Sequence, residues 1–285
     1  MERKLSVTVG AAIDAATRAL SDASPTPRLD AEVLLYHACG ITRTDAVAQP
    51  QRPLSDTAGV TFEALIDRRR HGEPIAYITG RREFWSLDLA VSPATLIPRP
   101  ETELLVEQAL ARIPKDTSCR VADLGTGCGA IAIAIAHERP YAQVVATDAS
   151  DAALAVARAN ARDLNIANLE FYHGDWFAPI RDKRFDVVVS NPPYVSAKDP
   201  HLREGDLRFE PRSALIAGGD DGLGAIRAIV SAAHGYLIAG GWILLEHGFD
   251  QAAEVCRLLA AAGFREIHPY RDLTGHERVT AGQAP

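Results

Sequence analysis

The sequence predicts an α/β protein with a parallel sheet covered on both faces. A small all-helical domain precedes the sheet and joins it through a β-hairpin. Three observations lead there. The first seventy or so residues carry apolar side chains at three-to-four spacing, interrupted by turn-rich stretches. A segment dense in β-branched and aromatic residues follows. From Cys119 onward, short apolar runs alternate with helical patterns. That alternation is the mark of strands buried on both faces by crossover helices.

In chain order, "VGAAIDAATRAL", "RLDAEVLLYHAC" and "VTFEALIDRRR" read as helices, separated by "SDASPTPR" and "AQPQRPLS". Asp30 and Thr61 lie near two helix starts and are expected as caps. Arg68, Arg69 and Arg70 are expected as a solvated helix end, where positive charge suits the dipole. "PIAYITGRREFWSLDLAVSP" suggests a hairpin around Gly80, and "TELLVEQALARI" a helix starting near Thr102. The expected boundaries are a helical domain over 1–75, a hairpin linker over 76–98 and an α/β domain over 99–285.

In the α/β part the expected strands are "RVADL", "QVVATD", "LEFYHGD", "FDVVVS", "GWILLEHG", "FREIHPY" and a last one near "RVTAG". Helices are expected at "AIAIAIAHE", "DAALAVARANARDL", "AIRAIVSAAHGYLI" and "QAAEVCRLLAAAG". "AIAIAIA" alternates like a strand. It directly follows a strand and a glycine turn and is rich in Ala, so it reads as a helix buried in the flank of the sheet.

Composition narrows the function. The chain has 285 residues, 47% of them hydrophobic and 24% charged, which is ordinary for a soluble globular protein. A formal net charge of -7 argues against an unaided grip on a nucleic-acid backbone. No apolar run approaches the roughly 20 residues of a membrane span, and "MERKLSVTVGAAIDAATRAL" lacks the apolar core of a signal peptide. Cys39, Cys119, Cys128 and Cys256 form no C-x-x-C pair. Neither a zinc site nor a disulfide framework is expected, and a reducing cytoplasm fits.

Two motifs carry chemistry. "VADLGTGCGAIAIA" sets Gly125, Gly127 and Gly129 after the first sheet strand, where glycines allow a sharp turn and close backbone approach to a ligand. A helix N-terminus then presents free N–H groups. Asp148 ends the next strand, placed to accept from both hydroxyls of an adenosine ribose. Its alternative is a helix cap, for which Ser150 and Asp151 are better placed. A dinucleotide and S-adenosylmethionine both suit such a turn. The G-x-G-x-G spacing favours the second, as does Asp123, an acid that would meet the ammonium of its methionine part. Asp175 and Trp176 in "HGDWF" either border an adenine, as acceptor and apolar wall, or form a core tryptophan beside a solvated carboxylate.

The second motif is "NPPY", Asn191 to Tyr194, at the end of the fourth sheet strand. Two prolines cannot donate ladder hydrogen bonds, so the strand stops there. The loop then faces the same cleft as Gly125 and Asp148. A planar substrate –NH₂ needs two acceptors. The Asn191 side-chain oxygen and the Pro192 carbonyl supply them, Pro193 stiffens the loop, and Tyr194 offers a face for the planar group. The bland alternative is a proline-rich loop with a buried tyrosine.

Taken together, the glycine turn, "ATDAS", "GDWF", "SNPPYV", "LLEHG" and "GEPIAYITGRREFWSLDLAVSPATLIPRPETE" resemble the HemK family, the release-factor glutamine N5-methyltransferases. The likeness spans nearly the whole chain. The hairpin and "IPRPETE" matter most, because NPPY also occurs in DNA adenine methyltransferases. The resemblance implies a Rossmann-like class I methyltransferase sheet, with S-adenosylmethionine held by Gly125, Thr126, Gly127, Cys128, Gly129, Asp148, Trp176 and Asn191. It also implies that the Asn191-to-Tyr194 loop holds the glutamine of a Gly-Gly-Gln motif in class-I release factors. Where the family often has Thr, this chain has Cys128, expected to point away from the cofactor. The expected protein is a cytoplasmic monomer without a metal or direct nucleic-acid contact. Three alternatives stand beside it: an N6-adenine DNA methyltransferase, a nucleotide-dependent oxidoreductase, which leaves NPPY unexplained, and a non-catalytic module that binds release factors.

Overall fold

In a computed structural model, residues 7–285 are described; the start of the N-terminal segment, residues 1–6, lies outside them. The chain forms two units, Met1–Gly80 with Arg203–Phe209, and Arg81–Leu202 with Glu210–Pro285.

The first unit is helical. Helix α1 (Val9–Ala19) is capped by Thr8, whose hydroxyl accepts from Ala11 N at 3.3 Å. Helix α2 (Pro27–Cys39) opens on a proline, whose fixed φ suits a first turn, and stops at left-handed Gly40. The six-residue α3 (Arg43–Ala48) is too short to show a period. It is set by a capping box between Thr42 and Asp45. Helix α4 (Asp56–Arg70) starts four residues earlier than its apolar pattern, because Ser55 caps it. Helix α5 (Ile75–Thr79) ends on Gly80. Their apolar stripes meet in a core that includes Ile13, Leu20, Leu34, Leu35, Phe62 and Ile66.

Three sequence expectations fail here. Thr61 is an exposed residue inside α4, not a cap. Asp30 lies within α2 and is buried at 6% exposure. Arg69 is not solvated; its Nε donates to Asp30 Oδ2 at 2.7 Å, while its neighbours Arg68 and Arg70 are exposed. The hydroxyls of Ser24 and Thr26 donate to the same carboxylate, at 2.7 and 3.2 Å. Arg69 also donates to Asp206 Oδ1 at 3.3 Å, and Arg208 to the His71 carbonyl at 2.8 Å, fixing the 203–209 segment within this unit. Local charge pattern cannot reveal a partner 39 residues away. Arg69→Ala is expected to lower the unfolding free energy by about 3 kcal/mol, since it strands a buried carboxylate. Urea unfolding checks this, and a loss within about 0.5 kcal/mol would mark the pair as surface-like.

The second unit opens on the hairpin, β1 (Arg81–Phe84) and β2 (Leu87–Ala90). Its turn is Trp85-Ser86, both at positive φ (55° and 57°), rather than Gly80. Residues 76–79, expected in the hairpin, are helical, and Tyr77 and Ile78 are buried. The alternation that specifies a strand pair begins only at Arg81.

Then follow α6 (Glu103–Leu110), β3 (Arg120–Leu124), α7 (Ala130–Glu138), β4 (Gln143–Asp148), α8 (Asp151–Asp163), β5 (Leu169–His173), β6 (Phe185–Ser190), α9 (Arg212–Leu215), α10 (Gly224–Ala233), β7 (Leu237–Glu246), α11 (Ala252–Ala261), β8 (Arg265–Arg271) and β9 (Glu277–Gln283). The sheet order is β5-β4-β3-β6-β7-β9-β8. Strands β3 to β7 pair in parallel; β9 runs antiparallel to both neighbours. The connection between β8 and β9 is too short for a parallel crossover. Helix α10 stops before the expected Ile238, because Leu237 already starts β7. All of Ala130–Ala136 is buried, as a flank-covering helix requires. Strand β3 has β4 on one side and β6 on the other, so the chain reverses direction across the sheet there. The carboxyl ends of these strands form the crevice where open α/β sheets bind ligands. Among the described residues, no helix is long and apolar enough to cross a membrane.

Candidate active site

A cavity of about 360 Å³ lies at those strand ends. Its wall includes Gly125, Thr126, Gly127, Cys128, Asp148, Asp175, Trp176, Asn191 and Pro193. Thus most of the residues singled out by sequence converge on one space.

The glycine turn is tied to β4 by Gly125 N and Thr126 N, which donate to the Thr147 carbonyl at 2.9 and 3.0 Å. Gly125 has φ +74°, and a Cβ there would sit 3.2 Å from the Trp176 ring. Trp176 itself holds a positive φ of 43°, a strained conformation for a bulky residue. Gly129 starts α7 at φ +89°, which favours glycine, and a Cβ there would sit 3.2 Å from Ala157 Cβ, tighter than ordinary contact. Asp148 Oδ2 accepts from Gly127 N, and its Oδ1 from Ser150 N, each at 2.8 Å. Ser150 caps α8 through Ala153 N. Asp148 therefore organises both turns while still lining the cavity.

Four predicted residues lie off this wall: Gly129 at the start of α7, Asp123, Pro192 and Tyr194. Asp123 is fully buried, with the Thr126 hydroxyl donating to its Oδ2 at 2.6 Å and no partner for Oδ1. Burial raises its carboxyl to about 7. Pro192 is buried, and Tyr194 directs its hydroxyl toward Glu246 Oε1 at 3.5 Å. Burial, then the nearby Glu246 carboxyl, pushes that phenol above its usual range. Cys128 is 2% exposed, and burial pushes its thiol up to about 12, so it is no nucleophile.

The sequence reading missed several contributors. Asn160 of α8 donates Nδ2 to the carbonyls of Cys128 and Ala90, both at 2.9 Å, and accepts from Ala90 N at 2.7 Å. It joins the hairpin to the glycine turn. A lone Asn in a helical pattern gives no hint of this. Thr102 Oγ1 accepts from Asn191 Nδ2 at 3.2 Å, which leaves Asn191 Oδ1 as the end that can accept from a ligand. Ser190 Oγ donates to the Leu124 carbonyl at 2.6 Å, pinning the start of the NPPY loop to β3. Arg99, also on the wall, donates to buried Glu210 at 2.6 Å. Glu246 is fully buried, and burial raises its carboxyl to about 7.

A carboxyl whose folded value lies above its ordinary 4.5 binds more protons folded than unfolded. Its contribution is complete below the ordinary value and is lost as pH rises through about 7. Glu246→Gln removes this term. Relative to wild type, the variant should gain about 2 kcal/mol of unfolding free energy on going from about pH 5.5 to about pH 8. Urea unfolding at both pH values tests this; parallel behaviour of the two proteins would refute it.

Comparison with known proteins adds independent support. Residues 11–80 match the family model described as PrmC N-terminal domain, and residues 100–207 match the Methyltransferase small domain. A release factor glutamine methyltransferase of Xylella fastidiosa is 52% identical over 90% of this chain and 94% of its own. The Escherichia coli protein of that name is 49% identical over 92% and 94%. That of Vibrio cholerae is 48% identical over 98% of both. Among solved structures, a methyltransferase from Pyrococcus furiosus superposes with TM-score 0.54 at 18% identity, covering 78% of this chain and 96% of that one. The Thermus thermophilus 16S rRNA N2 G1207 methyltransferase, in complex with AdoMet and guanosine, gives TM-score 0.53 at 19% identity, covering 72% and 50%. These two likenesses concern the fold alone.

Proposed function

The chain belongs to the release factor glutamine methyltransferase family, and from that premise we propose that the cavity holds S-adenosylmethionine beside the side-chain amide of a release-factor glutamine. The activity is methyl transfer to that amide. Near-full-length likeness to glutamine methyltransferases disfavours the DNA adenine alternative.

The observation that carries the site assignment is the fixed Asn191 amide. Its Nδ2 is engaged by Thr102, and the residue lines the same wall as Gly125 and Asp148. The residues present suit the cofactor. Asp148 accepts hydroxyls of a ribose, the Gly125–Gly129 turn admits close backbone approach, and Trp176 and Asp175 border the base. Asp123, enclosed behind Thr126, keeps a buried Oδ1 with no hydrogen-bond partner among the described residues, an acceptor for an ammonium that reaches past the turn. Bound S-adenosylmethionine supplies an electrophilic sulfonium methyl. The protein contributes orientation: Asn191 Oδ1 and the Pro192 carbonyl accept the two amide hydrogens, aiming the nitrogen lone pair at the methyl. The methylated nitrogen is acidic enough to release its proton to water, so no strong base is required.

In this reading the substrate glutamine lies in the Gly-Gly-Gln motif of class-I release factors and is modified at N5, in the cytoplasm, by a monomer that needs no nucleic acid. The helical unit serves for docking. The test is methyl transfer from labelled S-adenosylmethionine to purified release factor, with mass mapping of the modified peptide. A label on DNA but not on release factor would overturn it.

A further inference from the structure

Two stretches, "IPRPETE" and the end of "WILLE", lie at the site without a chemical task so far. They contribute Thr102, 4% exposed, and Glu246, 0% exposed. Thr102 closes a single 3-10 turn just before α6. Glu246 ends β7, one residue past Leu245, which pairs in register with Ser190. It thus stands beside the start of the NPPY loop. Asn191 Nδ2 donates to Thr102 Oγ1 at 3.2 Å. Thr102 lies close enough to the Glu246 carboxyl to favour its ionised form, and Glu246 Oε2 is buried with no hydrogen-bond partner among the described residues. The Tyr194 hydroxyl points at the same carboxyl from 3.5 Å.

These contacts bear on a choice that Asn191 cannot make alone. The two ends of a primary amide have nearly the same shape, yet only the oxygen accepts from a substrate –NH₂. Presented the other way, the side chain would set donor against donor. Thr102 favours the productive orientation only while it acts as an acceptor toward Asn191, which requires its own proton to be committed elsewhere. Glu246, whose buried Oε2 has no other partner among the described residues, is the group placed to take it. We propose that Thr102 and Glu246 are positioning residues: the Glu246 carboxylate directs the Thr102 hydroxyl, and Thr102 in turn holds Asn191 with Oδ1 toward the substrate amide. This rests on the reading of the cavity given above.

The Glu246 carboxyl supports a pH readout. Burial raises it to about 7, with Glu101 adding to the rise and Arg278, Thr102 and Tyr194 opposing it. Once protonated, it becomes a donor toward Thr102, and the relay loses its direction.

Single-turnover and steady-state methylation of release factor test the proposal. Thr102→Val keeps the branched shape and removes the hydroxyl. It is expected to lower kcat about 10²-fold, the scale of a misaligned reacting group, with KM for release factor and affinity for S-adenosylhomocysteine changed less than about threefold. Thr102→Ser should restore kcat to within about threefold of wild type. As a second readout, independent of whether Thr102→Val folds, wild-type kcat should fall on acidification from about pH 8 to about pH 6, and Glu246→Gln should abolish that inflection. A wild type that transfers no methyl to release factor defeats the underlying reading and this proposal with it. Transfer by wild type that is undiminished in Thr102→Val, or a Thr102→Ser no better than Thr102→Val, overturns the positioning role alone. A wild-type kcat that is flat over that pH range removes Glu246 from it.

Discussion

Asn191→Ala is expected to reduce methyl transfer by about 10³-fold or more while leaving S-adenosylhomocysteine affinity within about threefold of wild type. Two losses add. One acceptor for a desolvated –NH₂ disappears, about 1–3 kcal/mol. The substrate nitrogen also loses the contact that fixes its lone pair, which costs further orders of magnitude because attack is directional. The cofactor should be little affected, since Asp148 and the glycine turn are held by Thr147, Gly127 and Ser150, not by Asn191. Asn191→Asp is a sharper companion. It keeps an acceptor but cannot donate to Thr102, so it should also lose most activity, though for want of orientation. Rates at saturating cofactor, paired with calorimetry, check both. Wild-type turnover in Asn191→Ala would end the acceptor assignment.

The parts of this protein that were legible in sequence are those fixed by local rules. The Gly125–Gly129 turn, the acid closing β4 and the proline stop after β6 each follow from what one segment demands of its own backbone. Parallel strands read as apolar runs because both faces are buried, and β3 to β7 emerged that way. The strand near "RVTAG" was expected, but its antiparallel direction was not, because a short edge hairpin and a strand that follows a crossover look alike in residue pattern. Short helices with little period, α3 and α5, were set by caps and by packing on distant residues.

What stayed hidden are side chains whose meaning comes from partners far along the chain. Arg69 looked like one of three solvated arginines, yet 39 residues back Asp30 claims it. Asn160 and Thr102 sit in unremarkable helical and turn contexts, 70 and 89 residues from the groups they bond. Tyr194 shows the same limit at the NPPY motif. The motif offers its ring as a face for a planar group, and nothing in it reveals that the hydroxyl turns toward Glu246, a residue the sequence offered only as a strand end. Asp123 is enclosed behind Thr126, a contact that its spacing from the glycines does not reveal. A motif gives the identity of the groups at a strand end; which of them reach the cavity depends on the neighbouring strand.

The second large effect is expected at Asp148. Asp148→Ala should weaken S-adenosylhomocysteine binding about 10²-fold, while kcat at saturating cofactor stays within about threefold of wild type. A carboxylate accepting from two vicinal hydroxyls makes charge-assisted bonds, each about 1.5–3 kcal/mol. The ground state and the transition state use them equally, so their loss falls on binding rather than turnover. The structure adds a complication that decides the controls. The same carboxylate accepts from Gly127 N and Ser150 N, so its removal also frees two backbone donors and loosens the turn that faces the ligand. Asp148→Asn separates these effects. Its amide oxygen can keep one backbone bond and its shape supports the turn, but it brings a donor and no charge to the ribose. If ribose binding dominates, both variants should bind weakly, with the thermal midpoint depressed mainly in Asp148→Ala. If the residue is only a cap, affinity in Asp148→Asn should match wild type, and the thermal midpoint alone should respond in Asp148→Ala. Calorimetry and thermal unfolding of the two variants, measured together, distinguish these outcomes.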